Sequence, residues 1–432
     1  MNLVSTGQST ERIDFRTAVK RGLAPDGGLY LPESIPVLPR SFWAEMHDKS
    51  ISDVARRVFD KLLKENFNPS QLDDITERAF TFDAPVVGLD DDTFILELFH
   101  GPTLAFKDFG ARTMAAMLSV MAQEQGETIT IVTATSGDTG AAVAHGFYKT
   151  PGVEVYVFYP GGQVSSLQEK QFATLGENIT ALKVDGTFDD CQRLVKACFI
   201  DEQIRSGKQL TTANSINIAR LLPQMIYYIH AVARLTGADE SYSSLVCSVP
   251  SGNFGNLTAG LLAYKLGLPV KRFVAATNSN HIVPDYLQDG IFRPQTSIRT
   301  ISNAMDVGNP SNFDRMLALY DHDHRAMAQD VHGAWYDDEQ TGEAIVSVWN
   351  KYGYLMDPHT AVGYLGCRDD LRKGERGLIL STAHPAKFPE TIDRLIPGAL
   401  QMPERLKEMA ERTVKSISIP ANMEAVRAVL LR

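Results

Sequence analysis

The chain has 432 residues, with 42 lysines and arginines against 52 aspartates and glutamates, a formal net charge of −10. Forty-four percent of the residues are hydrophobic and 22% are charged, which excludes a mostly disordered chain and leaves room for about two or three domains with a cleft between them. An acidic balance without a basic block makes a poor partner for nucleic acid or an acidic membrane, yet allows a local cationic pocket for a small anion. The cysteines (Cys191, Cys198, Cys247 and Cys367) form no CxxC pair; they read as buried and reduced, and no metal set is assigned. The first dozen residues lack an apolar stretch of signal-peptide length, and nowhere do about 18 apolar residues run together. A cytoplasmic location is therefore expected.

In chain order, Ala24-Pro25-Asp26-Gly27-Gly28-Leu29-Tyr30 reads as a tight turn feeding a short strand. Residues 52–67 carry apolar residues at helical spacing (Val54, Val58, Phe59, Leu62, Leu63). From about residue 94 the rhythm changes to alternating strands and helices. Strands are expected at 128–134, 153–158, 179–184, 244–249, 274–276 and 377–380. Helices are expected at 141–148, 189–200, 216–235 and 257–266, with closing helices at 403–416 and 421–431. Alternation of this kind builds parallel sheets covered by helices, with ligands beyond the carboxyl ends of the strands.

Three strand-to-helix loops carry unusual chemistry. Ser251-Gly252-Asn253-Phe254-Gly255-Asn256 follows an apolar strand and precedes an apolar helix. Unpaired N–H groups and the helix dipole suit an anion there, and the glycines allow close approach, so the loop is either a plain turn or a phosphate cradle. It matches neither GxxxxGK[ST] nor GxGxxG, which disfavours a nucleotide. Phe106-Lys107-Asp108-Phe109-Gly110 sets one lysine among aromatic residues. Burial would lower its pKa and free a neutral amine to attack an aldehyde; the alternative is a surface lysine paired with Asp108. A molecule bearing both an aldehyde and a phosphate would use both features, and pyridoxal phosphate is that molecule. Thr133-Ala134-Thr135-Ser136-Gly137-Asp138-Thr139-Gly140 offers hydroxyl and N–H groups for a carboxylate, or else caps a helix. Asn217 and Arg220 share a helix face, and Arg220 could grip phosphate or form a salt bridge. Thr382 and Lys387 follow the last short strand. Asp357-Pro358-His359 looks like a helix start, with His359 structural.

Taken together these segments resemble the threonine synthase family, pyridoxal-phosphate enzymes of the tryptophan synthase β-like fold (fold type II). The likeness runs over nearly the whole chain: residues 22–30, the lysine motif, residues 136–140, residues 214–220, the Ser-Gly-Asn-Phe-Gly-Asn loop and residues 384–388. It implies an α/β fold with parallel sheets flanked by helices. The N-terminal domain would be residues 1–93, the large cofactor domain 94–114 and 211–432, and a small mobile domain 115–210. It further implies that Lys107 holds the cofactor covalently, that Gly252, Asn253, Phe254, Gly255 and Asn256 bind its phosphate, and that Thr382 faces the ring nitrogen. Asp138 stands where relatives place an Asn against the ring hydroxyl. Thr135, Ser136, Thr139, Asn217, Arg220 and Lys387 are the implied substrate anchors. The implied reaction is that of a lyase turning O-phospho-L-homoserine and water into L-threonine and phosphate, by a monomer or homodimer. The rivals are a serine or threonine dehydratase and a catalytically silent binding protein of the same fold.

Overall fold

The apolar, β-branched runs form strands where the pattern places them, because residues buried on both faces suit a parallel sheet covered by helices. A computed structural model describes residues 1–135, 137–236 and 244–432. Its larger sheet has six strands in the order Val331–Trp335, Arg272–Thr277, Leu245–Pro250, Arg376–Ser381, Thr93–Glu97 and Val86–Gly88; all pair in parallel except the last. A second, five-stranded parallel sheet runs Ile417–Pro420, Ile179–Asp185, Val153–Pro160, Ile129–Ala134 and Gln209–Thr211. The end of the chain thus returns to the smaller sheet. The opening residues make a third, three-stranded antiparallel sheet, in which Tyr30–Pro32 follows the expected turn at Gly27 (φ +83°). The fold is the expected α/β arrangement, with one largely parallel sheet edged by an antiparallel strand, one fully parallel sheet and an N-terminal unit.

Several element boundaries differ from the sequence pattern for identifiable reasons. The expected helix at 216–235 is divided into Ile218–Leu221, a 3₁₀ turn at Leu222–Gln224 and Met225–Thr236. Pro223 has no N–H to continue the ladder, and the chain tightens there instead of breaking. The closing helices shrink to Glu404–Glu411 and Met423–Leu430, since the segment between them supplies the edge strand Ile417–Pro420. Lys107–Gln125, not anticipated, is a 19-residue helix buried around most of its circumference. It has no polar stripe to betray its period. All four cysteines are free and buried, and burial pushes the thiols of Cys191, Cys198 and Cys367 up to about 11, 12 and 12, which makes them inert. No helix among the described residues is long and apolar enough to cross a membrane.

His230, on the helix Met225–Thr236, is fully buried; its Nε2 accepts from Arg234 Nε at 3.1 Å and lies 3.1 Å from Asp83. Burial, aided by Arg234, pushes the imidazole down to about 4 against the pull of Asp83. Its folded pKa lies below the unfolded value of about 6.5, so its contribution is complete above pH 6.5 and is lost as pH falls through 4. The urea midpoint should drop over that window by the equivalent of on the order of 1–3 kcal/mol. A His230→Gln variant should show a shallower acid slope; an unchanged slope contradicts the assignment.

Candidate active site

Three neighbouring strands of the larger sheet deliver the site. Arg376–Ser381 lies between Leu245–Pro250 and Thr93–Glu97, so their carboxyl ends open side by side across two strand spacings, about 10 Å. The central strand leads into Thr382, one neighbour into the glycine loop, the other towards Lys107. Main-chain bonds then fix the lysine segment: Phe106 N–H donates to Thr382 C=O at 3.0 Å, His384 N–H donates to Leu104 C=O at 3.0 Å, and Ala105 bridges Ala383. Leu104 takes a left-handed φ of +58° to make this turn. The pairing places Lys107 beside Thr382.

The glycine loop is built to leave its N–H groups free. Among the described residues, no acceptor takes the main-chain N–H of Gly252, Asn253, Phe254, Gly255 or Asn256. Phe254 has φ +60°, and the helix Gly255–Lys265 starts immediately after it, so unpaired amides gather at a positive helix end. The asparagine side chains tie the loop down. Asn253 Nδ2 donates to Ser215 Oγ at 2.7 Å, and its Oδ1 accepts from Ser311 N–H at 2.7 Å. Asn256 Nδ2 donates to Pro250 C=O at 2.8 Å while its Oδ1 accepts from Leu257 N–H. Any phosphate contact from these asparagines therefore falls to their main chain. A Cβ on Gly252 would stand 2.6 Å from Met305 Cα, so glycine is required for the loop to lie against residues 304–305. His359 holds that segment: its Nε2 accepts from Ala304 N–H at 3.3 Å while Nδ1 donates to Asp357 at 2.7 Å, the structural role expected of it.

Lys107 opens the helix Lys107–Gln125, where the dipole disfavours a cation. Burial lowers its pKa most; Lys387 and Arg220 act in the same sense, and Asp138 opposes them. The following carboxylate, Asp108, is unavailable for pairing because it accepts from Thr103 N–H (2.8 Å) and Thr103 Oγ1 (2.7 Å). The surface-lysine alternative fails on this point. Asp138 instead pairs with Lys387 at 2.7 Å, and Lys387 Nζ also donates to Thr103 C=O at 3.0 Å. Burial works to raise the Asp138 carboxyl, but Lys387 and Lys107 outweigh it and hold it well below the usual range. This ion pair ties the start of the helix Asp138–Phe147 to the strand end at Thr382.

The remaining candidates divide. Arg220 is buried against Gly110, donates Nη1 to Ala213 C=O and leaves Nε without a partner among the described residues. Burial pushes it down to about 10, so it remains a cation within electrostatic reach of Lys107. Thr139 lies half-buried in the first turn of the helix Asp138–Phe147. Ser136 lies outside the described residues. Two of the expected anchors have side chains bonded within the protein. Asn217 is fully buried and committed: Nδ2 donates to Val19 C=O (2.9 Å) and Thr212 C=O (3.1 Å), and Oδ1 caps Ala219 N–H. It joins the N-terminal unit to the helix start, and both of its amide hydrogens are spent on protein carbonyls. Thr135 Oγ1 likewise accepts from Gly137 N–H (3.0 Å) and Gly140 N–H (2.8 Å), so its hydroxyl shapes the loop. Asn312, Arg315 and Ser311, around the back of the glycine loop, were not foreseen.

The charges facing Lys107 make a signed prediction. In cofactor-free protein, Lys107 should react with an amine-selective acylating reagent well below pH 10.5. Replacing Lys387 by Met removes a depressing cation and should move half-reaction to higher pH; Asp138→Asn should move it lower. Mass spectrometry of the Lys107 peptide across pH reads both, and shifts of the same sign contradict the arrangement.

Comparison with known proteins agrees with this geometry. A family model described as pyridoxal-phosphate dependent enzyme matches residues 85–382, flanked by threonine synthase N terminus at 2–80 and threonine synthase, C-terminal, at 360–430. The chain is 45% identical over 433 residues to threonine synthase of Escherichia coli (strain K12), covering 100% of this chain and 99% of that protein. The crystal structure of threonine synthase from Escherichia coli superposes with a TM-score of 0.90 at 44% identity, covering 100% and 99%. PLP-bound threonine synthase from Brucella melitensis gives 0.93 at 32%, covering 100% and 98%. With a free amine and a nest of free amides on strands two apart, and with relatives aligned from end to end, the chain belongs to the threonine synthase family of pyridoxal-phosphate-dependent lyases.

Proposed function

We propose that this protein holds pyridoxal phosphate between Lys107 and residues 252–256 and converts O-phospho-L-homoserine and water into L-threonine and inorganic phosphate. The observation that carries the reading is the row of unpaired amides at residues 252–256, two strands from an amine whose neighbours favour its neutral form. The residues present fit the cofactor: a dianion satisfies the amides, and an aldehyde meets the amine.

When bound, the cofactor supplies an electron sink for the pair left at a carbon next to the amine. The chain's own groups do the rest. Lys107 carries protons to and from the substrate carbons, a task suited to an amine whose pKa is lowered. Thr382 offers the ring nitrogen a neutral hydroxyl. Thr139 and the main chain around residues 136–140 receive the substrate carboxylate at the start of the helix Asp138–Phe147. Lys387 and Arg220 attract the substrate phosphate and stabilise it as it leaves, since a buried cation acts strongly where water is excluded. In the resting geometry Lys387 is bound to Asp138, so the incoming phosphate competes with that carboxylate for the same ammonium. Closure of the smaller sheet's unit over the larger keeps water out until the phosphate has departed. Four free, buried thiols suit the cytoplasm.

A dehydratase needs no second anion site, and the buried Lys387 and Arg220 beside Lys107 count against it. A silent binding protein would have no use for an amine of lowered pKa. Assaying threonine and phosphate from O-phosphohomoserine should give both in equal amounts, with Lys107→Ala inactive. Lys387→Ala should raise KM for this substrate about 10- to 100-fold, the worth of one charged hydrogen bond. Deamination of serine at comparable efficiency, insensitive to Lys387→Ala, would favour the dehydratase.

A further inference from the structure

One buried donor beside the glycine loop has no partner among the described residues. Asn312 is fully buried, and its Nδ2 makes no hydrogen bond among the described residues. That nitrogen stands 3.4 Å from where a Cβ on Gly255 would be, against the amides left free at residues 252–256. Its orientation is fixed from behind, because Oδ1 accepts from Arg315 Nη1 at 2.7 Å. Arginine has only donors, so flipping the amide would set N–H against N–H. A buried donor without an acceptor is costly, and native proteins rarely tolerate one except where a ligand completes it.

Arg315 adds a second, independent observation. It is fully buried and bonds only neutral oxygens: Nε to Tyr30 C=O (3.1 Å), Nη1 also to Ser215 C=O (3.4 Å), and Nη2 to Ile216 C=O (2.6 Å). No carboxylate pairs with it among the described residues. Burial pushes the guanidinium down to about 9, which leaves it charged at neutral pH. A buried, uncompensated cation behind a nest of free amides is complementary to a dianion.

We propose that the side-chain amide of Asn312 is a further donor to the cofactor phosphate, and that Arg315 is its positioning residue. This rests on reading residues 252–256 as the phosphate cradle. Asn312 adds a side-chain donor to an otherwise main-chain site. Arg315 selects which end of the amide faces the phosphate and adds positive potential that no carboxylate among the described residues pairs with. It also links the cradle to the N-terminal unit through Tyr30.

The test compares pyridoxal phosphate with pyridoxal, which has the aldehyde but no phosphate, on cofactor-free protein. Asn312→Asp keeps an acceptor for Arg315 and replaces the outward donor by an oxygen. The variant should melt at or above the wild-type temperature without cofactor, since Arg315 gains an ion pair. Its dissociation constant for pyridoxal phosphate, read from the absorbance of the lysine-bound cofactor, should rise about 100-fold or more, and that for pyridoxal should stay unchanged. A purely structural asparagine would instead lower the melting temperature and weaken both ligands alike. Equal binding of pyridoxal phosphate by variant and wild type, or equal losses for both ligands, overturns the proposal. If Asn312→Asp does not fold, Asn312→Ala decides: the wild-type preference for the phosphorylated ligand should fall about 10-fold, and an unchanged preference overturns the proposal. A wild type that shows no preference overturns the cradle reading itself, and this inference with it.

Discussion

The site depends on the pairing of the segment before Lys107 with the segment after the central strand. Phe106 N–H to Thr382 C=O and His384 N–H to Leu104 C=O set the amine in register with Thr382. The neighbouring Leu245–Pro250 strand sets the glycine loop in register with both. Backbone hydrogen bonds of this kind are insensitive to side-chain rotamers, so the span between amine and amides is fixed by sheet geometry. An enzyme that must hold one rigid molecule at both ends benefits from such a fixed span.

Electrostatics are then tuned within that frame. Lys387 and Arg220 act on the Lys107 amine in the same sense as burial, against the carboxylate of Asp138, which is itself paired with Lys387. Asp108, next to the lysine in sequence, is withdrawn by Thr103. Lys387 and Arg220 disfavour a charge on Lys107, and two buried cations around one amine suit a small anion despite a chain charge of −10. Net charge sets solubility and non-specific association; a pocket is governed by the few groups that water does not screen.

Much of the fold was legible because it is written locally. The apolar strand before Ser251 and the glycines after it announce a strand, a loop and a helix start, and the structure has all three. Lys107 stood out by its aromatic neighbours, yet its helix did not, because Lys107–Gln125 is apolar around most of its surface. The division at Pro223 was written in the sequence and outweighed by the surrounding periodicity. Asn217 and Thr135 read as substrate anchors in the sequence, and both side chains bond the protein's own backbone: Thr135 its local loop, Asn217 the distant Val19 C=O, a partner no local pattern reveals. Arg315 was out of reach altogether, since it meets Tyr30 across 285 positions and no local pattern marks an arginine as buried.

The same distinction explains why the glycine loop carries asparagines. Their side chains anchor the loop to Ser215, Ser311 and Pro250, and with the loop so held its main-chain N–H groups have no acceptor among the described residues. A lysine or arginine in the loop would bind phosphate by charge but would leave the amides free to find protein acceptors. Amides on a loop tied down by its own side chains resist relaxing when the anion is absent, so their alignment is set during folding and requires no rearrangement on binding. In this loop the identity of the side chains reports on the scaffold, while the binding chemistry belongs to the backbone.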